Sequence, residues 1–234
     1  MSAQSKALTD CLKRLHLPTV RDLCIEEADH ARRESLSHEE YLLSLVEQEL
    51  EDRRQRRIAR YLRESKLPLE KTLKVFDRSR LTEVENRKVE TLLDGRFLSR
   101  CENVLAFGGP GGGKTHLLAA IGIELIHKGY RVRFFTCSLL VQELLIAKRD
   151  MKLARLLKRL SNYDALIIDD IGYVQQSREE MEVLFTLLAN KYERGSVMLT
   201  SNLQFSEGEK IFKDPMTTAA AGVGLKGVEG RSGK

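Results

Sequence analysis

Apolar residues recur at helical spacing through the first third of the chain. Leu8, Cys11, Leu12 and Leu15 form one such run, and Pro18 stops it. A second helix is expected over residues 19–34. The sharpest start signal is Ser37-His38-Glu39-Glu40. Ser37 can accept from the amide three residues on, while Glu40 reaches back to the Ser37 amide. From there Tyr41, Leu42, Leu45, Val46, Glu49 and Leu50 make a stripe that predicts a long helix ending near Lys66-Leu67-Pro68. Residues 1–66 therefore read as a small helical domain, and residues 67–94 as a connector with a helix over 83–93.

The texture changes in the segment 95–221, read as the core. A short apolar run at 103–107 leads into a glycine cluster, a helical pattern through Ile126 and an extended run at 131–136. Further short apolar runs follow at 165–168 and 197–200. Strands alternating with helices predict an α/β fold, a parallel sheet with helices on both faces. Ala165-Leu166-Ile167-Ile168 suits a strand buried on both sides. Residues 222–234, GVGLKGVEGRSGK, are expected to form an unstructured tail, because such dense glycine offers little burial against chain entropy.

Composition narrows the class. The chain has 234 residues, 42% apolar and 31% charged, enough to bury a core in one or two domains. No apolar run approaches the roughly 18–20 residues of a membrane span. The start lacks a charged-then-apolar export pattern, so a cytoplasmic protein is expected. Cys11, Cys24, Cys101 and Cys137 lie far apart without a CxxC, which argues against a zinc ribbon or disulfide scaffold. Lys+Arg 39 against Asp+Glu 34 leaves a net +5, which permits nucleic-acid contact without demonstrating it.

Candidate chemistry centres on Gly108-Gly109-Pro110-Gly111-Gly112-Gly113-Lys114-Thr115. It fits G-x-x-x-x-G-K-[ST] between an expected strand and an expected helix, the context that makes it a phosphate loop. Glycines let backbone amides converge on phosphate oxygens, and the helix that follows adds its unsatisfied N-terminal amides. Lys114 would reach the β- and γ-phosphates, and Thr115 would offer Mg²⁺ a hard oxygen. His116 follows directly on that helix and is counted with Gly108 to Thr115 among the expected nucleotide-binding residues. Asp169 and Asp170 close an apolar strand. Asp169 is the expected metal-side acid and Asp170 the water-orienting base for hydrolysis of a nucleoside triphosphate. Leu199-Thr200-Ser201-Asn202 ends the next strand in polar groups that suit either γ-phosphate sensing or a simple turn. Arg53, Arg54, Arg56, Arg57, Arg60 and Arg63 crowd one helix behind Glu49, Glu51 and Asp52. That order suits a solvated helix and its dipole, and equally a sequence-independent contact with a DNA backbone.

The segments FGGPGGGKTHLLAAIG, KGYRVRFFT, YDALIIDDIGY and YERGSVMLTSNLQFSE, with RRIARYLRESKLPLEKTL before them, resemble the IstB family over roughly residues 5–220. These are AAA+ helper ATPases encoded beside the transposase of certain insertion sequences. The resemblance implies a P-loop NTPase core of AAA+ type, ATP and Mg²⁺ as cofactors, and ATP-dependent oligomers. It implies DNA and a cognate transposase as partners in target selection. It makes Gly108 to Thr115 the Walker A loop, Asp169 and Asp170 the Walker B acids, and Asn202 the sensor-1 residue. Two other readings stay open: a DnaC-type helicase loader, and a catalytically impaired remnant acting as a DNA-binding module. The resemblance departs after Ala221. The family's fifth strand and trans-acting arginine are then expected to be missing, the 103–107 strand to become an exposed edge, and hydrolysis and assembly to be weakened. Arg178 and Arg194 remain as possible arginine donors.

Overall fold

The computed structural model describes residues 3–171, 177–202 and 220–224. The chain divides into two compact units, Met1–Arg60 and Tyr61–Lys234.

The first unit holds α1 (Ala3–Arg14), α2 (Pro18–Glu34) and most of α3 (His38–Ser65). Pro18 does more than end the first helical run. It opens α2, where its missing N–H costs nothing. The start of α3 is closed as expected: Ser37 N donates to Glu40 at 2.8 Å and Glu40 N to Ser37 Oγ at 3.2 Å. The stripe expected on α3 is only half right. Leu45 and Glu49 are buried, whereas Leu42, Leu43, Val46 and Leu50 are exposed. The reason is that Glu49 caps another helix. Leu17, ahead of α2, has no side chain able to cap it. The Glu49 carboxylate accepts instead from Thr19 N at 2.8 Å and Val20 N at 3.2 Å, which turns α3 by its 45 and 49 positions towards α2. Leu12, Cys24 and Leu45 form the small apolar cluster beside it.

In the second unit the stretch read as a connector is folded into the core. Leu67, Phe76 and Leu81 are buried, Asp77 caps a 3₁₀ turn at Arg78–Arg80, and Thr82 with Glu85 forms a capping box for α4 (Glu83–Leu93). Then come α5 (Arg96–Ser99), β1 (Asn103–Phe107), α6 (Lys114–His127), β2 (Val132–Thr136), α7 (Cys137–Arg149) and α8 (Leu153–Ser161). They are followed by β3 (Ala165–Asp169), α9 (Arg178–Lys191), β4 (Ser196–Ser201) and β5 (Ala220–Gly224). The strands form one sheet in the order β2-β3-β4-β1-β5, every neighbouring pair parallel. β3 is an interior strand between β2 and β4, with Ala165, Leu166, Ile167 and Ile168 fully buried. α6 approaches β3 closely at Gly122, where a Cβ would lie 2.8 Å from Ile167 Cδ1.

β5 corrects three expectations: a fifth strand, expected to be missing, is present beside β1. Gly222 and Gly224, assigned to an unstructured tail, are strand, and β1 is not an edge. Asn103 to Phe107 pair in register with Ala220 to Gly224. The ladder is made by main-chain groups, which glycine carries like any other residue. The rest of the expected tail, 225–234, lies outside the described residues. All four cysteines are free. Among the described residues no helix is long and apolar enough to cross a membrane.

Candidate nucleotide site

β1 delivers the chain to the glycine loop, and α6 carries it away. Gly111 (φ 74°) and Gly113 (φ 84°) sit in the left-handed region, where a side chain would strain the loop. Gly113 also has little room for a Cβ, which would lie 3.1 Å from the Phe76 ring. The first helical bond of α6 runs from Leu117 N to Gly113 O at 2.8 Å, and no side chain caps the helix. Its first amides are left facing an open cleft, the arrangement that attracts oxyanions.

That cleft holds about 470 Å³. Pro110 to His116, Asp169, Asp170, Thr200, Asn202 and Lys71 line it. Lys114 is only 6% exposed. Its ammonium donates to Gly108 O and Gly109 O, both at 2.8 Å, and to Asn202 Oδ1 at 2.6 Å. Gly108 and Gly109 thus serve the loop by their carbonyls and do not line the cleft. Thr115 Oγ1 donates to Asp169 Oδ1 at 2.8 Å. Asn202 Nδ2 donates to Asp170 Oδ1 at 2.7 Å, so one amide joins the lysine to the second acid. Burial pulls the Lys114 ammonium below the ordinary lysine range, against the pull of Asp170 and Asp169. Burial likewise pushes the Asp170 carboxyl up, helped by Asp169 and opposed by Lys114.

Thr200 was not singled out in sequence, although it sits in the polar strand end that was. Its hydroxyl donates to Asp169 Oδ1 at 2.6 Å and accepts from Asp170 N at 2.7 Å. It thereby sets both acids at once and holds Asp170 at a φ of 65°. His116 lines the cleft, yet its ring is tied elsewhere. Nε2–H donates to Thr72 O at 3.0 Å, and the ring meets Phe76 edge-on at 5.3 Å between centroids. Lys71 had no local signal, because a lysine in a polar stretch is unremarkable until the fold brings it to the cleft.

The profile of the IstB-like ATP binding protein family matches residues 10–222. The chain belongs to this family. A protein of Sinorhizobium fredii named as an insertion sequence ATP-binding protein is 41% identical over 90% of this chain and 71% of its own length. The protein named as the IS5376 ATP-binding protein of Geobacillus stearothermophilus is 36% identical over 88% of this chain and 82% of its own. Among solved structures, a DnaC helicase loader covers 67% of this chain and 97% of its own at TM-score 0.55 and 21% identity. AMPPCP-bound DnaA from Aquifex aeolicus covers 69% of this chain but 51% of its own, at TM-score 0.57 and 20% identity. These two share the AAA+ fold.

In this IstB-like chain the donors beside the loop suit a hard divalent cation. Asp169 and Thr115 offer carboxylate and hydroxyl oxygens side by side. Among the described residues no group of three or more His, Cys, Asp or Glu could hold a metal unaided, so phosphate and water oxygens would have to complete the shell. The arginines of α3 are all exposed, and several are held by neighbours on the same unit. Arg53 donates to Glu49 at 2.8 Å and to His16 O, Arg54 pairs with Glu51 at 3.4 Å, and Arg56 pairs with Asp52 at 3.0 Å. Arg57 and Arg63 are exposed as well, and exposed Arg60 also has an interaction partner.

Proposed function

We propose that this protein is the ATP-dependent helper of an insertion sequence, coupling ATP binding and hydrolysis to DNA engagement and to target selection by the cognate transposase. The observation that carries the reading is the bond path from Lys114 through Asn202 to Asp170, beside the Thr115–Asp169 pair. The insertion-sequence names of the relatives support the setting.

Triphosphate oxygens entering the cleft replace the loop carbonyls and Asn202 Oδ1 as acceptors for Lys114, and meet the first amides of α6. Asp169 and Thr115 would hold Mg²⁺, which when bound supplies neutralising charge on the phosphate oxygens. Asp170 orients the attacking water and accepts its proton, and Asn202 senses the γ-phosphate through its shared amide. The exposed cations of α3, Arg57 and Arg63 foremost, contact DNA phosphates without reading sequence. Subunits assemble on DNA in the ATP-bound state.

The test compares the wild-type chain with Lys114→Ala and with Arg57→Glu/Arg63→Glu. Lys114→Ala is expected to lose ATP binding and turnover. The double variant is expected to keep both but to lose most duplex affinity and flatten its salt dependence. Wild-type protein should bind duplex DNA more tightly with ATP and should retain the transposase encoded beside it. ATP binding unchanged in Lys114→Ala overturns the site. Preference for a replicative helicase and single strands points to a loader, and DNA binding indifferent to nucleotide points to a remnant.

A further inference from the structure

We propose that Lys71, from the stretch ahead of α4, is a second phosphate-binding cation of the cleft and grips the polyphosphate chain of the nucleotide. The inference rests on the nucleotide reading above and adds to it a residue outside the loop.

Among the described residues, Lys71 and Lys114 are the lysines on the lining, set against Asp169 and Asp170. The charges of these four cancel, while a nucleoside triphosphate remains net anionic even with a divalent cation bound. Lys114 must exchange three existing acceptors, two loop carbonyls and Asn202 Oδ1, for phosphate oxygens, which offsets part of its gain. Lys71 is different. It is half-buried, and among the described residues its ammonium has no hydrogen-bond or ion-pair partner. A partly desolvated cation without an acceptor gains most from an incoming oxyanion.

The backbone beside it is also held in the right place. Thr72 O accepts from the His116 ring at 3.0 Å, and His116 is the third residue of α6. Phe76, packed edge-on against that ring, fixes the same stretch a turn later. Lys71 is thereby moored beside the amides that collect phosphate, and its flexible four-carbon stem carries the charge across the remaining gap. Anchorage at the amide end of the helix, together with a strongly hydrated point charge, favours phosphate oxygens over the base.

The experiment is a binding titration with fluorescent ATP and ADP analogues on the full chain, using Lys71→Gln, Lys71→Arg, Lys74→Gln and Lys114→Ala. Thermal unfolding is followed in parallel. Lys71→Gln is expected to weaken both nucleotides about tenfold, or ~1.4 kcal/mol, without lowering the unfolding temperature. Lys71→Arg should recover most of that affinity, and Lys74→Gln, exposed three residues on, should bind as wild type. Wild-type affinity in Lys71→Gln beside lost affinity in Lys114→Ala overturns the role of Lys71 and leaves the site standing. Equal losses in Lys71→Gln and Lys71→Arg also overturn it, since charge is then not what matters. Wild-type affinity in Lys114→Ala condemns the nucleotide reading itself.

Discussion

Asp170 sets the role proposed for it against the stability of the fold. It sits at positive φ, half-buried, beside a second carboxylate, and its proton is held more tightly than an ordinary aspartate's. A carboxyl whose affinity for protons rises on folding favours the folded state below its unfolded value, and that advantage is lost as pH climbs through the folded value. At neutral pH the ionised group is therefore a cost to the fold. Asp170→Asn keeps the oxygen that accepts from Asn202 and removes the charge. It is expected to raise the unfolding temperature at pH 7 by a margin that shrinks towards zero in acid and, on the function proposed above, to abolish ATP turnover. Calorimetry across pH, with a phosphate-release assay, checks both halves. Unchanged stability at pH 7 would mean that Lys114 fully compensates the charge.

Among the helices, α2 and α3 illustrate a cap supplied from outside the helix it serves. Glu49 is 3% exposed. Burial by itself would raise its carboxyl, but hydrogen bonds from Arg53 and from the Val20 and Thr19 amides together outweigh burial and hold it below the ordinary glutamate range. A carboxyl depressed in this way stabilises the fold above its unfolded value, and the benefit is lost as pH falls through the folded one. Glu49→Ala is expected to cost about 2–3 kcal/mol by denaturant unfolding at pH 7, because it strips a charged acceptor from two amides and a guanidinium. The difference from wild type should narrow below roughly pH 4. The same contact explains why a helical apolar stripe misjudged α3. Periodicity counts Leu42, Val46 and Leu50 as inward-facing, but an acid on the neighbouring face found the better partner.

At the scale of the whole molecule, β5 decides how the sheet ends. Its main chain covers the β1 edge next to the glycine loop. Removing residues 220–234 is expected to cost about 2–5 kcal/mol from a few ladder bonds at roughly 0.5–1.5 kcal/mol each, and to leave an exposed edge that aggregates on warming. Unfolding curves and light scattering would report the two effects, and a truncated chain as stable and soluble as the full one would show that β5 is dispensable. The sequence by itself determined what local geometry controls. Strand and helix alternate because apolar periods of two kinds alternate, and the glycine loop is legible because Gly111 and Gly113 need backbone angles that other residues resist. Asp169 and Asp170 could be read as a pair because they are adjacent. Only the tertiary structure decided what depends on distant partners. Asn202 meets Lys114 across 88 residues, and Lys71 reaches the cleft only because Thr72 and Phe76 are moored to α6. Burial of α3, pairing of β5 and placement of Lys71 each follow from which surfaces meet in space, and spacing along the chain carries no record of that.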